Sequence, residues 1–398
     1  MNFTALEFAL NIATISILLF SGTLLIQRTQ QNQSYFPLAL CLFSIAVVVS
    51  QPTIKELLPA IQITLLFLSL PALLLIAPSF WLYVKGLTQQ TPWQFNRAER
   101  RHFIPALAGL VVAITANFIP KDIQISLLTT GDERILQDVS AWLKYLTYTL
   151  LIATFGLVLG WVAQSAYYLY KMTRRLLRYR AQLEHIFAST EQKELRWLNL
   201  LLLLIALVWG GAALNLVLDN LFWTSQFYGP YSSTALLAMV AFVANWGLRQ
   251  KPGFEDIYDA TDALPATDNL APQTTIKYQR SALTADLATR IALKITDAMT
   301  VDKLYLDSAL SLPKLAQHIK VSPNYISQTI NETLTSNFFD LVNQHRIEAA
   351  KTLLTSGDST VLEIAMQVGY NSKSAFYSAF KKHTGVTPSE FKKAHDLP

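Results

Sequence analysis

Seven long runs of uncharged, mostly apolar residues fill the first 249 positions of this 398-residue chain, and they constrain its fold more than any other feature. A helix crosses a bilayer with about 17–25 apolar residues. Six runs reach that length, and the shortest, Tyr35–Ser50, lies in a longer stretch without charge. The runs are Phe8–Ile26, Tyr35–Ser50, Leu57–Val84, Phe103–Pro120, Tyr145–Tyr170, Leu198–Leu218 and Tyr231–Leu248. We therefore predict a seven-helix transmembrane bundle over residues 1–249.

The composition of the chain supports this prediction. Only 15% of the residues are charged and 52% are hydrophobic, with a mean hydropathy of +0.30. Soluble globular domains carry about 25% charged residues. The chain as a whole therefore does not fit the class of ordinary soluble proteins.

The basic residues between the runs predict the orientation in the membrane. The first, third and fifth loops together hold twelve lysines and arginines, whereas the even-numbered loops hold few, among them Lys55, Lys121 and Arg134. Loops rich in lysine and arginine stay in the cytoplasm. The amino terminus is therefore expected outside the cell, and seven spans place the carboxyl terminus in the cytoplasm.

The character of the sequence changes after Arg249. Residues 250–280 are polar and acidic with several prolines, which predicts a linker. Residues 281–300 show helical apolar spacing at Leu287, Ile291 and Ile295. This helix either packs on the domain that follows, which we favour, or forms a dimer and carries a signal. Because residues 251–300 join the two regions, we expect any signal to pass through them alone.

Residues 312–331 have the pattern of a helix-turn-helix motif. Pro313 suits the first turn of a supporting helix, and Ser322 is a good N-cap for a second helix. Ile326 and Ile330 would then face the core. The residues predicted to face outward, where the second helix of such a motif enters the major groove, are Asn324, Ser327, Gln328 and Asn331.

A second copy of the pattern follows about 50 residues later, with Gly369 at the turn and Ser372 as the cap. Phe376 and Phe380 are expected to be buried. The residues predicted to face the groove are Lys373, Ser374, Tyr377 and Ser378, followed by Lys381 and Lys382 as phosphate contacts. Phe338–Leu354 forms an amphipathic helix between the copies. It would hold the two recognition helices about one helical turn of DNA apart.

Together these motifs resemble the AraC/XylS family of bacterial transcription regulators, over roughly residues 300–395. The resemblance rests on Leu312–Asn331, the stretch from Arg346 to Leu354, Ile364 and Ala365, Gly369 and Tyr370, Ser374–Phe380, and Thr384–Pro388 with Phe391. It implies an AraC-like domain over residues 301–398 in which both recognition helices contact bases. No arginine stands at the matching positions, although family members often have one there, so the bases contacted stay open. The soluble sugar-binding domain common in that family is absent.

The apolar region gives weaker indications of a site. Asn117, Gln164 and Asn215 are polar candidates for a ligand pocket, although an interhelical hydrogen bond explains each of them more simply. The runs contain no histidine and no acidic residue deep inside, which disfavours proton-coupled transport. The sequence contains no catalytic constellation, no metal-binding motif and no cofactor motif.

The fold predicted from the sequence is thus all-α: a seven-helix transmembrane bundle followed by a soluble AraC-like domain with two helix-turn-helix motifs. The predicted function is that of a one-component transcription regulator in a bacterial inner membrane, and not that of an enzyme. Its expected partners are double-stranded DNA, the lipid bilayer, an unidentified signal, a second copy of the chain and, for an activator, RNA polymerase. A transporter, or a membrane enzyme, with an appended DNA-binding domain is the alternative.

Overall fold

The computed structural model describes residues 5–130, 132–137, 139–190, 193, 195, 197–206, 230–254, 283–356 and 359–395. Within these residues every regular element is helical, apart from one isolated antiparallel bridge between Phe187 and Ser311. The chain divides into an apolar unit, Met1–Leu176 with Arg196–Glu255, and a carboxyl-terminal unit, Leu177–Leu195 with Asp256–Pro398. The all-α class predicted from the sequence is confirmed for the part of the chain described.

The apolar unit consists of helices that differ widely in length. In chain order they are α1 (Ala5–Arg28), α2 (Tyr35–Val49), α3 (Gln51–Leu57), α4 (Gln62–Phe67), α5 (Ser69–Leu87), α6 (Arg97–Arg100), α7 (Ile104–Ala116), α8 (Lys121–Ile125), α9 (Ala141–Glu184), α10 (Trp197–Ala206) and α11 (Pro230–Arg249). Among the described residues, α1, α5 and α9 are long and apolar enough to cross a bilayer. The pair α2 and α3, bent by 48°, adds a fourth if it is one broken span. This is fewer than the seven spans predicted.

The shortfall arises where apolar runs and helices do not coincide. The third predicted span, Leu57–Val84, is interrupted, because α4 ends at Phe67 and α5 begins at Ser69. Helix α7 has 13 residues, so it is only about 20 Å long at 1.5 Å per residue. The sixth run is described as far as Ala206, and the rest of it lies outside the described residues, as do residues 255–280 of the predicted linker.

Close helix packing organises the apolar unit. Helix α1 packs on α2 and α11, α2 packs on α5, and α5 packs on α7. Gly22 on α1 makes one such approach possible, since a Cβ atom there would lie 2.8 Å from the Phe43 ring of α2. Small residues at helix crossings let the two backbones approach closely, and the resulting van der Waals contacts stabilise the packing of apolar helices.

A buried polar cluster joins the third loop to α5 and α9. Glu99 is 3% exposed and accepts a 2.5 Å bond from Lys85 Nζ. His102 Nδ1 lies 2.7 Å from the hydroxyl of Tyr168. Burial, and then the nearby charge of Lys171, hold the pKa of His102 below its usual value. The paired charges offset the cost of burying Glu99, so this loop is held firmly.

The carboxyl-terminal unit has two hydrophobic cores. Its helices are α12 (Ala285–Thr300), α13 (Leu312–Ile319), α14 (Pro323–Gln328), α15 (Phe338–Ser356), α16 (Val361–Gln367), α17 (Lys373–Thr384) and α18 (Pro388–His395). The first core is built from α12, α13, α14 and the start of α15, and the second from the rest of α15 with α16 and α17. Helix α15 therefore contributes to both cores and connects them.

Helix α12 belongs to the first core. Ile291 and Ile295 are 2% and 0% exposed within it, whereas Leu287 is 40% exposed. Burying an isoleucine side chain stabilises a fold by about 1.5–3 kcal/mol. The helix is thus a structural part of the domain that follows it, and its role as a dimerisation helix stays a prediction.

Candidate nucleic-acid interface

The first helix-turn-helix motif consists of α13 and α14. Lys320 ends α13 in the left-handed conformation, with φ of 55°. The Ser322 hydroxyl then caps α14 by accepting a bond from the backbone N–H of Tyr325. Ile326 and Ile330 are 0% and 1% exposed. The cap and the buried face predicted from the sequence are therefore both confirmed.

The outward face of the first motif is polar and interconnected. Asn324 and Asn331 are exposed, and Ser327 and Gln328 are partly exposed. Gln328 Nε2 donates a 3.0 Å bond to Glu332 Oε2, and Asn331 Nδ2 lies 3.5 Å from Ser327 Oγ. The helix was expected to continue regularly to Asn331, but after Gln328 it becomes one π-helical turn, Thr329–Thr333.

Glu332 is a residue that the sequence analysis missed. It is exposed and lies beside Gln328 at the end of the motif. Carboxylates in general accept hydrogen bonds from the amino group of cytosine and repel phosphate oxygens. The sequence spacing could have predicted this contact, because Glu332 follows Gln328 by four residues and residues so spaced are neighbours on a helix.

The second motif consists of α16 and α17, joined at Gly369. This glycine has φ of +91°, and a Cβ atom there would lie 2.7 Å from the Tyr305 carbonyl oxygen and 2.8 Å from that of Leu306. Glycine alone combines this backbone conformation with such a close approach. The Ser372 hydroxyl caps α17 by accepting from the Ala375 N–H, and Phe376 is fully buried. The predicted turn and cap are confirmed.

The outward residues of α17 fall into two groups. Lys373, Ser374 and Ser378 are exposed. Tyr377 is partly buried against the second core, and its hydroxyl lies 2.7 Å from Ser389 Oγ on α18. The Lys373 ammonium lies 5.3 Å from the centre of the Tyr377 ring. Tyr377 thus has a packing role in this structure, while its neighbours project freely.

The two lysines predicted together as phosphate contacts have different surroundings. Both side chains are exposed. Lys382 Nζ, however, lies 2.7 Å from Asp340 Oδ1 on α15. Exposed ion pairs are worth only about 0–1 kcal/mol, but Asp340 still offsets much of the field of Lys382. Lys381 therefore suits a phosphate contact better.

Arg346 on α15 joins the two cores, and it is fully buried. Its Nε donates a 2.7 Å bond to the Tyr305 carbonyl oxygen and its Nη2 a 2.9 Å bond to that of Asp307. Its guanidinium also lies 5.3 Å from the centre of the Tyr370 ring in the second core. A buried charge is tolerated only when it is well hydrogen-bonded. In the sequence, Arg346 belongs to the stretch that resembles the family pattern, and no local pattern indicates these long-range bonds.

Two of the three ligand candidates of the apolar unit, Asn117 and Gln164, lie in the described part of the chain, and each donates a hydrogen bond to a backbone carbonyl. Asn117 Nδ2 donates to the Ala113 carbonyl oxygen within its own helix end, at 2.8 Å. Gln164 Nε2 donates across to the Leu74 carbonyl oxygen of α5, at 3.3 Å. Asn215 lies outside the described residues. Gln164 thus makes the interhelical bond that was the simpler interpretation, and Asn117 makes an intrahelical one.

Comparisons with known proteins find matches to part of the chain. A family model described as a helix-turn-helix domain matches residues 315–394. The melibiose operon regulatory protein of Escherichia coli K12 is 31% identical over 87 residues, which are 22% of this chain and 29% of that protein. The uncharacterized HTH-type transcriptional regulator YijO of the same organism is 36% identical over 95 residues, 24% of this chain and 33% of that one.

A solved structure is similar to part of this chain. The carboxyl-terminal domain of AraT, a response regulator from Geobacillus stearothermophilus, is 31% identical, covers 30% of this chain and 92% of that chain, and has a TM-score of 0.25. The chain spans about a third or less of the length of the two curated relatives. The similarity therefore concerns one domain. The carboxyl-terminal region of this chain is an AraC-family helix-turn-helix domain.

Proposed function

We propose that this protein is a membrane-bound one-component transcription regulator. Its two helix-turn-helix motifs bind specific DNA, and its apolar unit senses a signal in or across the membrane. The observation that carries the proposal is the presence, on one chain, of an AraC-family domain and of long apolar helices, of which α9 is largely exposed in the described part of the chain.

Helix α9 provides the main support for membrane insertion. Only 6% of the most apolar 18-residue stretch of this helix is buried. Large side chains on several faces are open, with exposures of 67% for Trp142, 72% for Ile152 and 65% for Phe155. An apolar surface of this extent is unfavourable in water. Lipid chains would cover it at no such cost.

Helix α7 adds a second uncovered surface. Its exposed residues recur at intervals of three and four, which places them on one face. They are Ile104, Leu107, Val111, Ile114 and Phe118, with exposures of 55–71%. A lipid-facing side of α7 accounts for this stripe.

For the topology, we propose seven spans with the amino terminus outside and the carboxyl-terminal unit in the cytoplasm. Lys144, which lies in the first turn of α9, adds to the fourth loop, so the basic residues divide as twelve in the odd loops and four in the even loops. The odd loops still hold more lysines and arginines than the even loops, and loops rich in these residues stay in the cytoplasm.

Reporter fusions test this topology. Fusions after Ser34, Gln90 and Ser189 should show cytoplasmic activity, and fusions after Lys55, Thr130 and Ser225 external activity. A consistent shift by one loop would mean that Tyr35–Ser50, which the structure bends into α3, does not cross. A cytoplasmic signal at all six positions would contradict membrane insertion.

For DNA binding, we propose that the bases are contacted by Asn324, Ser327, Gln328 and Asn331 on the first motif and by Lys373, Ser374 and Ser378 on the second. Lys381 contacts phosphate, with Lys382 contributing less. Full-length protein in lipid nanodiscs, incubated with a random duplex library, should enrich sequences with two half-sites. Equal recovery of all sequences would contradict the proposal.

A further inference from the structure

A short segment after α9 pairs with the helix-turn-helix domain. The backbone N–H of Ala188 donates to the Leu310 carbonyl oxygen at 3.1 Å, and that of Leu312 donates to the Ile186 carbonyl oxygen at 2.8 Å. Phe187 and Ser311 face each other between these two bonds. We call residues 186–190 the docking strand. It lies in the carboxyl-terminal unit, although α9 begins at Ala141 in the apolar unit.

The docking strand also contributes to the first core. Ala188 is 1% exposed and packs in the cluster that contains Ile291 and Leu315. Phe187 is 4% exposed, and Lys193 Nζ lies 4.4 Å from the centre of its ring. The contact is therefore a buried interface and not a chance approach of two loops.

Arg346 connects the docking strand to both cores. Its Nη1 donates to the Ala188 carbonyl oxygen at 3.3 Å and to Ser189 Oγ at 3.0 Å. The other donors of the same buried guanidinium bind the carbonyl groups of Tyr305 and Asp307, as described above. Withdrawal of the strand would remove both acceptors from Nη1, and a buried charge that loses hydrogen bonds destabilises its surroundings.

The strand leaves the proposed DNA-binding faces open. Asn324 and Asn331 on the first motif and Lys373 and Ser378 on the second are all exposed while the strand is docked. The strand therefore does not block DNA sterically. It contacts the buried side of the domain, where Arg346 links the first core to the second.

We propose that the docking strand is the contact through which the apolar unit controls DNA binding. When docked, it holds the two motifs in the arrangement that binds DNA, and when withdrawn it lowers the affinity. The proposal rests on the proposed function. It also corrects the expectation that signals pass only through residues 251–300, since α9 leads by a second covalent route directly into the strand.

The first test replaces Ala188 with glutamate in the full-length protein in nanodiscs. Its matched control is His185→Glu, the same new side chain three residues earlier at an exposed position. We expect Ala188→Glu to weaken binding to a selected duplex at least tenfold, and His185→Glu to stay within twofold of the parent. Unchanged binding by Ala188→Glu would overturn the proposal.

Hydrogen exchange distinguishes a loss of regulation by the docking strand from unfolding of the whole domain. In the Ala188→Glu variant, amides of α17 should keep their protection, because the second core contains no residue of the docking strand. Loss of protection in both cores together with lost binding would overturn the proposal, since the contact would then be merely structural.

The second test locks the strand in place with Phe187→Cys and Ser311→Cys. These residues form a non-hydrogen-bonded antiparallel pair, whose Cα atoms lie about 4.5 Å apart, within disulfide range. The single-cysteine variants are the controls, and the native Cys41 is buried. The oxidised pair should bind DNA at least as tightly as the reduced pair. A tenfold loss on oxidation would overturn the proposal.

Failure of the proposed function gives a different result. If the parent protein shows no sequence preference, the proposed DNA-binding function itself fails. If the parent selects a sequence but neither the glutamate variant nor the disulfide alters its affinity, only the role of the docking strand fails.

Discussion

The two helix-turn-helix motifs share a sequence pattern but are stabilised differently. The second motif packs with α15 in a core that includes three tilted or edge-on aromatic rings, Tyr370, Phe376 and Phe380. The first motif completes its core with α12 before it and with Ala188 from the docking strand. The core of the first motif therefore depends on the docking strand, which is distant in the sequence, whereas the core of the second contains only residues from α15 onward. Control of DNA binding is expected to enter through the first motif.

The largest expected effect concerns the turn of the second motif. Gly369→Ala should destabilise the domain by about 2–5 kcal/mol, because a left-handed alanine is strained and its Cβ atom would meet two backbone oxygens. Gly385→Ala is the matched control, since φ there is +81° but nothing lies within 4 Å of the added atom. It should cost only about 1–2 kcal/mol.

Hydrogen exchange of α16 and α17 in the full-length protein measures both changes. Equal destabilisation by the two alanines would mean that the close approach to Tyr305 and Leu306 contributes nothing. The second motif would then be less tightly joined to the first than the structure indicates.

The next effect separates the two proposed contact faces. Gln328→Ala should weaken binding to a selected duplex by about 1–3 kcal/mol and relax preference at one or two base pairs. Tyr377→Phe should leave base preference unchanged and lower the free energy of unfolding by about 0.5–1.5 kcal/mol, because it removes only the bond to Ser389. Binding-site selection beside a thermal melt distinguishes the two. A change of base preference in Tyr377→Phe would make that hydroxyl a DNA contact.

A smaller effect is expected at the end of α17. Lys381→Ala should reduce the slope of log affinity against log salt by about one unit and weaken specific and random DNA alike. Lys382→Ala should reduce the slope less, because Asp340 already pairs with it. Titrations at several salt concentrations measure both slopes. Equal slopes would mean that the Asp340 pair opens on DNA.

The smallest effect concerns acid stability of the second motif and α18. Glu363 accepts a hydrogen bond from the Thr360 N–H, and Glu390 one from the Thr387 N–H, and these bonds hold the pKa of each carboxyl below its ordinary value of 4.5. A depressed pKa contributes stability that is present above pH 4.5 and is lost as pH falls through the lower, folded-state pKa. Glu363→Gln should remove part of this pH dependence, measured by acid unfolding. A pH profile identical to that of the parent would contradict the capping role.

Local patterns predicted the helix-turn-helix motifs well. The caps at Ser322 and Ser372, the turn at Gly369 and the buried Ile326 and Phe376 all follow from spacing along a single helix or turn. Such features depend on residues a few positions apart, so the sequence alone contains the information.

Contacts between distant segments could not be predicted in the same way. The pair of Lys382 with Asp340 joins residues 42 positions apart, and the bond from Arg346 to Ala188 spans 158 positions. The helix ends in the apolar unit also differ from the run boundaries. Hydropathy predicts where apolar residues lie, but helix breaks such as the one at Leu68 depend on packing between helices.

The central claim is that one chain, held in the membrane, binds specific DNA. Crosslinking the tagged full-length protein in cells, isolating the membrane fraction and sequencing the DNA retained with it tests this claim most directly. The account predicts recovered DNA that shares two half-sites about 10–10.5 base pairs apart, and no such enrichment for a chain truncated after Arg249. Recovery of the protein only in the soluble fraction, or of DNA without any common sequence, would contradict it.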